Sequence, residues 1–185
     1  MPRVSKAQAA QNRDRTIQAA AQLLRERGVD HVSVQDIMAE VGLTHGGFYR
    51  QFDSKDALVL EATRHAYTTM AAQMADAEGA QGDHHAAQQA YIRAYLSPTH
   101  RDQPGQGCPT AGLVQDVARN GTTDMRQVLA DGVTGLARWL DTDDRSGLVT
   151  ACTMLGALLI ARATQGTPLS DQVLEQVSGA LTHTP

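Results

Sequence analysis

Residues 33–52 read Ser33-Val34-Gln35-Asp36-Ile37-Met38-Ala39-Glu40-Val41-Gly42-Leu43-Thr44-His45-Gly46-Gly47-Phe48-Tyr49-Arg50-Gln51-Phe52, and their pattern decides the architecture. Ser33 followed three residues later by Asp36 has the form of a capping box. Val34, Ile37, Met38 and Val41 then recur at the spacing of one helix face. Glu40-Val41-Gly42 closes that helix, and Thr44 caps a second short helix running to about Arg50. The product is a helix-turn-helix: Ser33–Glu40, Val41–Leu43, Thr44–Arg50. Adjacent glycines at 46 and 47 cost such a short helix about 2 kcal/mol against alanine. A helix laid in a DNA groove recovers that cost, because its backbone can approach the bases closely. Close helix packing is the alternative; groove approach suits Gly46 better and packing suits Gly47.

Working outward, Ile17, Ala20, Ala21 and Leu24 mark one face of a helix over Ala7–Arg27, stopped by Gly28 with Arg25 and Arg27 in its last turn. Ser54 caps a fourth helix that continues to about Glu78. After Gly79, Gly82 and Asp83 comes a helix over His84–Leu96. Pro98, Pro104, Gly105 and Gly107 then make Ser97–Gly107 read as a mobile loop. Further helices are expected at Pro109–Asn120, Asp124–Leu140, Asp144–Gln165 and Leu169–Leu181. No segment alternates as a strand would. The expectation is an all-α protein of about nine helices, divided into a three-helix N-terminal domain over residues 1–53 and a helical remainder over 54–185.

Composition agrees. Of 185 residues, 42% are hydrophobic but only 4% aromatic, a mixture that suits helix packed on helix. The net charge of −4 argues against a general nucleic-acid coat, yet it is unevenly spread. Residues 1–56 carry eight Lys/Arg against seven Asp/Glu, whereas the rest sums to −5. Any DNA contact therefore belongs to the first third. No signal peptide is read, and the apolar run Leu148–Ala161, interrupted by Thr150 and Thr153, falls short of the roughly 20 residues that span a bilayer. A soluble cytoplasmic protein with no membrane partner is expected, with Cys108 and Cys152 as free thiols. His84 and His85 are adjacent and face different ways on a helix, so they make a poor metal pair. No HExxH, CxxC, GxSxG or phosphate-binding glycine loop occurs. Neither an enzyme, a metal nor a cofactor is expected.

The backbone amides that follow Ser33, Thr44 and Ser54 open three helices and suit phosphate oxygens. The side chains of Ser33, Thr44, Tyr49 and Lys55 can add to them. His45 is the first candidate for a base-edge contact, followed by Gln35 and Arg50, with Gly46 admitting the backbone. Phe48 and Phe52 read as core. Arg3 and Lys6 form either a basic arm along DNA or a solvated tail.

Extended to Val32 and to Asp53-Ser54-Lys55-Asp56-Ala57-Leu58, this region resembles the DNA-binding domain of the TetR/AcrR family of bacterial repressors. The match covers about residues 12–60 and requires Gly42, Phe48, Tyr49, Phe52, Lys55 and Leu58 to agree in spacing together. The resemblance implies an all-helical homodimer on a palindromic double-stranded DNA operator, released when a small-molecule effector binds the larger domain. It places Thr44, His45 and Tyr49 on the recognition helix and Lys55 against phosphate. Beyond residue 60 the family shares architecture more than sequence.

For the remainder the chain itself must be read. Leu148, Cys152, Leu155 and Leu159 line one face of the penultimate helix, and Val173, Leu174, Val177 and Leu181 one face of the last. They suit a four-helix bundle across a two-fold axis, as the resemblance also implies; burial within one chain is the alternative. Pro109 suits the first position of a helix, which puts Cys108 at the cap, where amides and dipole favour thiolate. A thiolate there reacts with electrophiles or oxidants, and Gly107-Cys108-Pro109-Thr110-Ala111-Gly112-Leu113 is similar to a pattern in one branch of the family, some of whose members use a cysteine here to sense reactive compounds. A small residue packed at a loop junction is the plainer reading. A conventional pocket would draw on Tyr67, Met70, Tyr91, Tyr95, Leu113 and Trp139. Two other functions remain open at this level: an activator, and a redox-reactive helical protein acting through protein contacts.

Overall fold

In the computed structural model, which describes residues 5–182, ten α-helices and one 3-10 turn succeed one another, with no strand among the described residues. Arg3 lies outside them. The helices are α1 (Lys6–Arg27), α2 (Val34–Glu40), α3 (His45–Phe48), α4 (Lys55–Gln81), α5 (His84–Tyr95), α6 (Pro98–Asp102), α7 (Pro109–Asn120), α8 (Thr123–Leu140), α9 (Gly147–Ala163) and α10 (Pro168–Thr182). The 3-10 turn spans Pro104–Gln106. The extra helix lies inside the segment expected to be a mobile loop. Ser97 caps it through the His100 amide, and Pro98 takes its first position, where a missing N–H costs nothing. There the proline starts a helix instead of breaking one.

Local signals explain the boundaries. Ser33 and Asp36 form the expected capping box, the Ser33 hydroxyl accepting from the Asp36 amide at 3.1 Å and the Asp36 carboxylate accepting from the Ser33 amide at 2.8 Å. At the other end of α2, Gly42 (φ +69°) donates to Ala39 and Leu43 donates to Met38, at 3.0 and 2.8 Å. This is a Schellman motif, whose left-handed residue is cheapest as glycine. Ser54 caps α4 through the Ala57 amide at 3.0 Å.

Two apolar cores share the long helix α4. The first gathers Leu23 and Leu24 of α1, Ile37 and Met38 of α2, Phe48, Phe52 and the first half of α4, but it also includes Leu113, Val117 and Met125 from α7 and α8. The second holds Met70 and Met74 of α4 with Tyr95, Leu136, Leu140, Met154, Leu158 and Leu174. Phe48 and Phe52 are buried as expected, their rings stacked at 5.5 Å. The first-helix arginines act as struts. Arg13 pairs with Glu61 at 2.7 Å and lies 4.8 Å over the Phe52 ring, while Arg15 donates to the Val41 carbonyl at 3.0 Å and satisfies the end of α2.

Candidate DNA interface and sensor cavity

The outer side of the helix-turn-helix is built on the buried Phe48. The Tyr49 ring meets it edge-on at 5.1 Å and meets His45 edge-on at 5.7 Å. Tyr49 is nevertheless 65% exposed, the largest exposure among the big apolar side chains, so its ring is positioned but uncovered. Gln35, Thr44, His45, Gly46 and Arg50 are all exposed on the same unit. A Cβ at Gly46 would meet no atom within 4 Å, whereas one at Gly47 would touch Met38 and Thr44 at 3.6 and 3.7 Å. Gly46 thus faces open space and Gly47 faces the protein.

Thr44 occupies the cap of α3 without a side-chain capping bond. Ser33, by contrast, has its hydroxyl engaged twice, donating to the Asp36 carboxylate at 2.6 Å besides accepting from the Asp36 amide. The Ser33 hydroxyl and the Ser33 amide, both donating to the Asp36 carboxylate, hold it below its usual range. Lys55 is half-buried, and its Nζ donates to the Val29 carbonyl at 2.7 Å.

In the larger part of the chain, Cys108 takes the cap position of α7, 5% exposed and without a capping bond from its side chain. With Met70, Tyr91, Tyr95, His100 and Arg25 it lines a cavity of ≈ 400 Å³, large enough for a small ligand. The Cys108 amide donates to His100 Nε2 at 2.9 Å, and His100 Nδ1 lies 2.7 Å from the Tyr95 carbonyl. One nitrogen therefore accepts and the other carries the proton, which fixes the neutral tautomer. Burial pushes His100 below its usual pKa and pushes Tyr91 and Tyr95 well above theirs, with Cys108 adding to the latter.

Not every expected lining residue meets there. Tyr67 bonds Thr110 through its hydroxyl at 2.8 Å and lines a separate groove between α4 and α8, which Met70 also reaches. Leu113 is 2% exposed inside the first core. Trp139 stands behind the cavity wall, its Nε1 donating to Glu78 at 2.8 Å and its ring meeting Tyr91 edge-on at 5.2 Å. His100 and Arg25 were not read from the sequence as cavity residues. Neither belongs to an apolar pattern, and only the fold brings them to Cys108.

On α9, Leu148 and Cys152 are exposed and Leu155 and Leu159 half-buried; on α10, Val173, Val177 and Leu181 are half-buried and Leu174 is core. Val149, Ile160 and Leu169, which the sequence reading passed over, are also exposed. Exposed large apolar side chains thus occur on both α9 and α10, which pack against each other. Among the described residues, no group of three or more His, Cys, Asp or Glu could hold a metal, and no helix is long and apolar enough to cross a membrane.

A one-turn helix with an uncovered tyrosine and an open glycine, following a capped α2 and a Schellman turn, defines a helix-turn-helix DNA-binding protein. Residues 17–62 match the family model for bacterial regulatory proteins of the tetR family. An uncharacterized HTH-type transcriptional regulator of Mycobacterium tuberculosis, Rv0196, is 27% identical over 91% of this chain and 93% of its own. The HTH-type regulator YvdT of Bacillus subtilis is 39% identical over 46 residues, about a quarter of each chain. Among solved structures, the reduced form of NemR from E. coli superposes with a TM-score of 0.78 at 22% identity, covering 92% of this chain and 95% of that one. A TetR transcriptional regulator from Chloroflexus aurantiacus gives 0.75 at 19% identity, covering 95% and 94%. Residues 17–62 carry the DNA-binding domain of the tetR family of bacterial regulatory proteins, and the chain as a whole has the fold of these solved regulators.

Proposed function

We propose that the protein is a homodimeric cytoplasmic repressor that leaves a palindromic operator when a small molecule or electrophile reaches the cavity beside Cys108. Residues 1–53, joined by Lys55 at the start of α4, bind DNA, and the rest of 54–185 senses and dimerises. In this reading Thr44, Tyr49, Lys55 and the helix-start amides after Ser33 hold phosphates, while His45, Gln35 and Arg50 read base edges and Gly46 lets α3 settle into the groove. The faces of α9 and α10 pair across a two-fold axis, setting half-sites about 34–36 Å apart.

The observation that carries the reading is that one chain joins an uncovered recognition turn to a ≈ 400 Å³ cavity containing a thiol and two tyrosines. Its test is a selection of bound DNA from a random pool, repeated after treatment with a thiol-modifying reagent. An inverted repeat, bound before treatment and lost after it, is the expected result. Selection of no sequence at all overturns the regulator, and undiminished binding after treatment overturns the electrophile arm.

A further inference from the structure

Arg25 sits in the last turn of α1, the helix that precedes the helix-turn-helix in the N-terminal three-helix domain, yet it lines the same cavity as Cys108. Of the residues lining that cavity, it alone comes from 1–53. Its Nε donates to the Gly105 carbonyl at 2.8 Å, and Nη2 reaches the same oxygen. The backbones also meet. A Cβ on Gly112, in the first turn of α7, would stand 2.9 Å from the Arg25 Cα, which leaves no room for a side chain. Farther along, the Val29 amide donates to Asp116 of α7 at 3.1 Å. The end of α1 is thus seated on the 3-10 turn and on α7, the helix that Cys108 caps. Burial disfavours the Arg25 charge, and the interaction that most offsets this is with Cys108, ahead of Glu26.

We propose that Arg25 relays the state of the cavity to the helix-turn-helix: a substituent on Cys108, or a molecule lodged beside it, displaces the guanidinium from Gly105 and frees the end of α1. The inference rests on the sensing reading above and names the residue through which it acts. A purely structural Arg25 would add stability but would leave the response unchanged when replaced.

The test uses full-length protein carrying Cys152→Ser, so that one thiol reacts, and DNA selected from a random pool by the unmodified protein. Iodoacetamide is the probe: Sγ bonds to the methylene carbon, iodide leaves, and the thiol proton passes to buffer. Alkylation is expected to weaken DNA binding about tenfold, a factor typical of coupled sites. In Arg25→Met the change falls below about twofold, and in Arg25→Lys, which keeps the charge without the fork, it lies between. Equal loss in all three proteins overturns the relay and leaves sensing standing. No loss with Arg25 in place overturns sensing and the relay together. Hydrogen exchange on the Cys152→Ser protein covers a variant that folds poorly: alkylation is expected to speed exchange at the Gly28 and Val29 amides, and unchanged exchange there overturns the relay.

Discussion

Lys55 Nζ stands 2.7 Å from the Val29 carbonyl oxygen, tying the first residue of α4 to the loop that leaves α1. One of three ammonium donors is thereby used within the protein, and two remain. A lysine held this way presents its charge at a fixed place beside the helix start, with less side-chain entropy left to lose on meeting a phosphate.

Lys55→Ala is accordingly expected to weaken binding to every DNA sequence and to lower the salt slope of log K by about one. Tyr49→Ala removes a neutral contact and lowers affinity without that change in slope. His45→Ala relaxes the preference at one base position, by about 1–3 kcal/mol. Binding titrations at several salt concentrations separate the three, and unaltered affinity in both Lys55→Ala and Tyr49→Ala would remove the proposed interface.

Gly46→Ala isolates the groove. The new methyl group meets no protein atom within 4 Å, and alanine favours the helix by about 1 kcal/mol. Thermal stability should hold or rise while DNA affinity falls at least several-fold. Undiminished affinity would mean that α3 does not approach the bases at this residue.

Ile160 is 50% exposed on the α9 face. Ile160→Glu places a charge where two copies would meet, and sedimentation should show monomers with an unchanged helical circular dichroism spectrum. A dimer that persists would move the interface elsewhere.

Leu113→Ala tests whether that residue is core or lining. Buried at 2% exposure, it should cost about 2–5 kcal/mol in a denaturant titration. A loss below about 1 kcal/mol would return it to a cavity wall.

His100 gives the protein an acid sensitivity. Burial sets its folded pKa below the ordinary 6.5, so the unfolded chain takes up the proton first as pH falls. Its contribution is complete above about pH 6.5 and is lost progressively below it. The melting temperature should drop between pH 7.5 and 5.5, and His100→Gln should drop less. Equal drops would assign the sensitivity to other groups.

The helix-turn-helix was legible because its signals are local: a capping box, a glycine that must be left-handed, and aromatics at fixed spacing. The α9 face was only half legible. Its apolar residues run all the way round, from Leu148 and Val149 to Leu158, Leu159 and Ile160, so periodicity gives little phase. Val149 and Ile160 were passed over for that reason. The cavity was least legible, because Arg25 and Cys108 lie 83 positions apart in sequence and only α1 docking on α7 brings them together. Leu113 went the opposite way, since an apolar residue on an amphipathic helix does not announce which of two cores it will join.

The first core has a practical meaning for protein engineers. Leu23, Leu24 and Ile37 share one core with Leu58, Val59, Leu113, Val117 and Met125. A chimaera joined after residue 53 would therefore strip the reading head of the wall it leans on. A transplant that keeps its shape must carry the first half of α4 and supply surrogates for α7 and the start of α8.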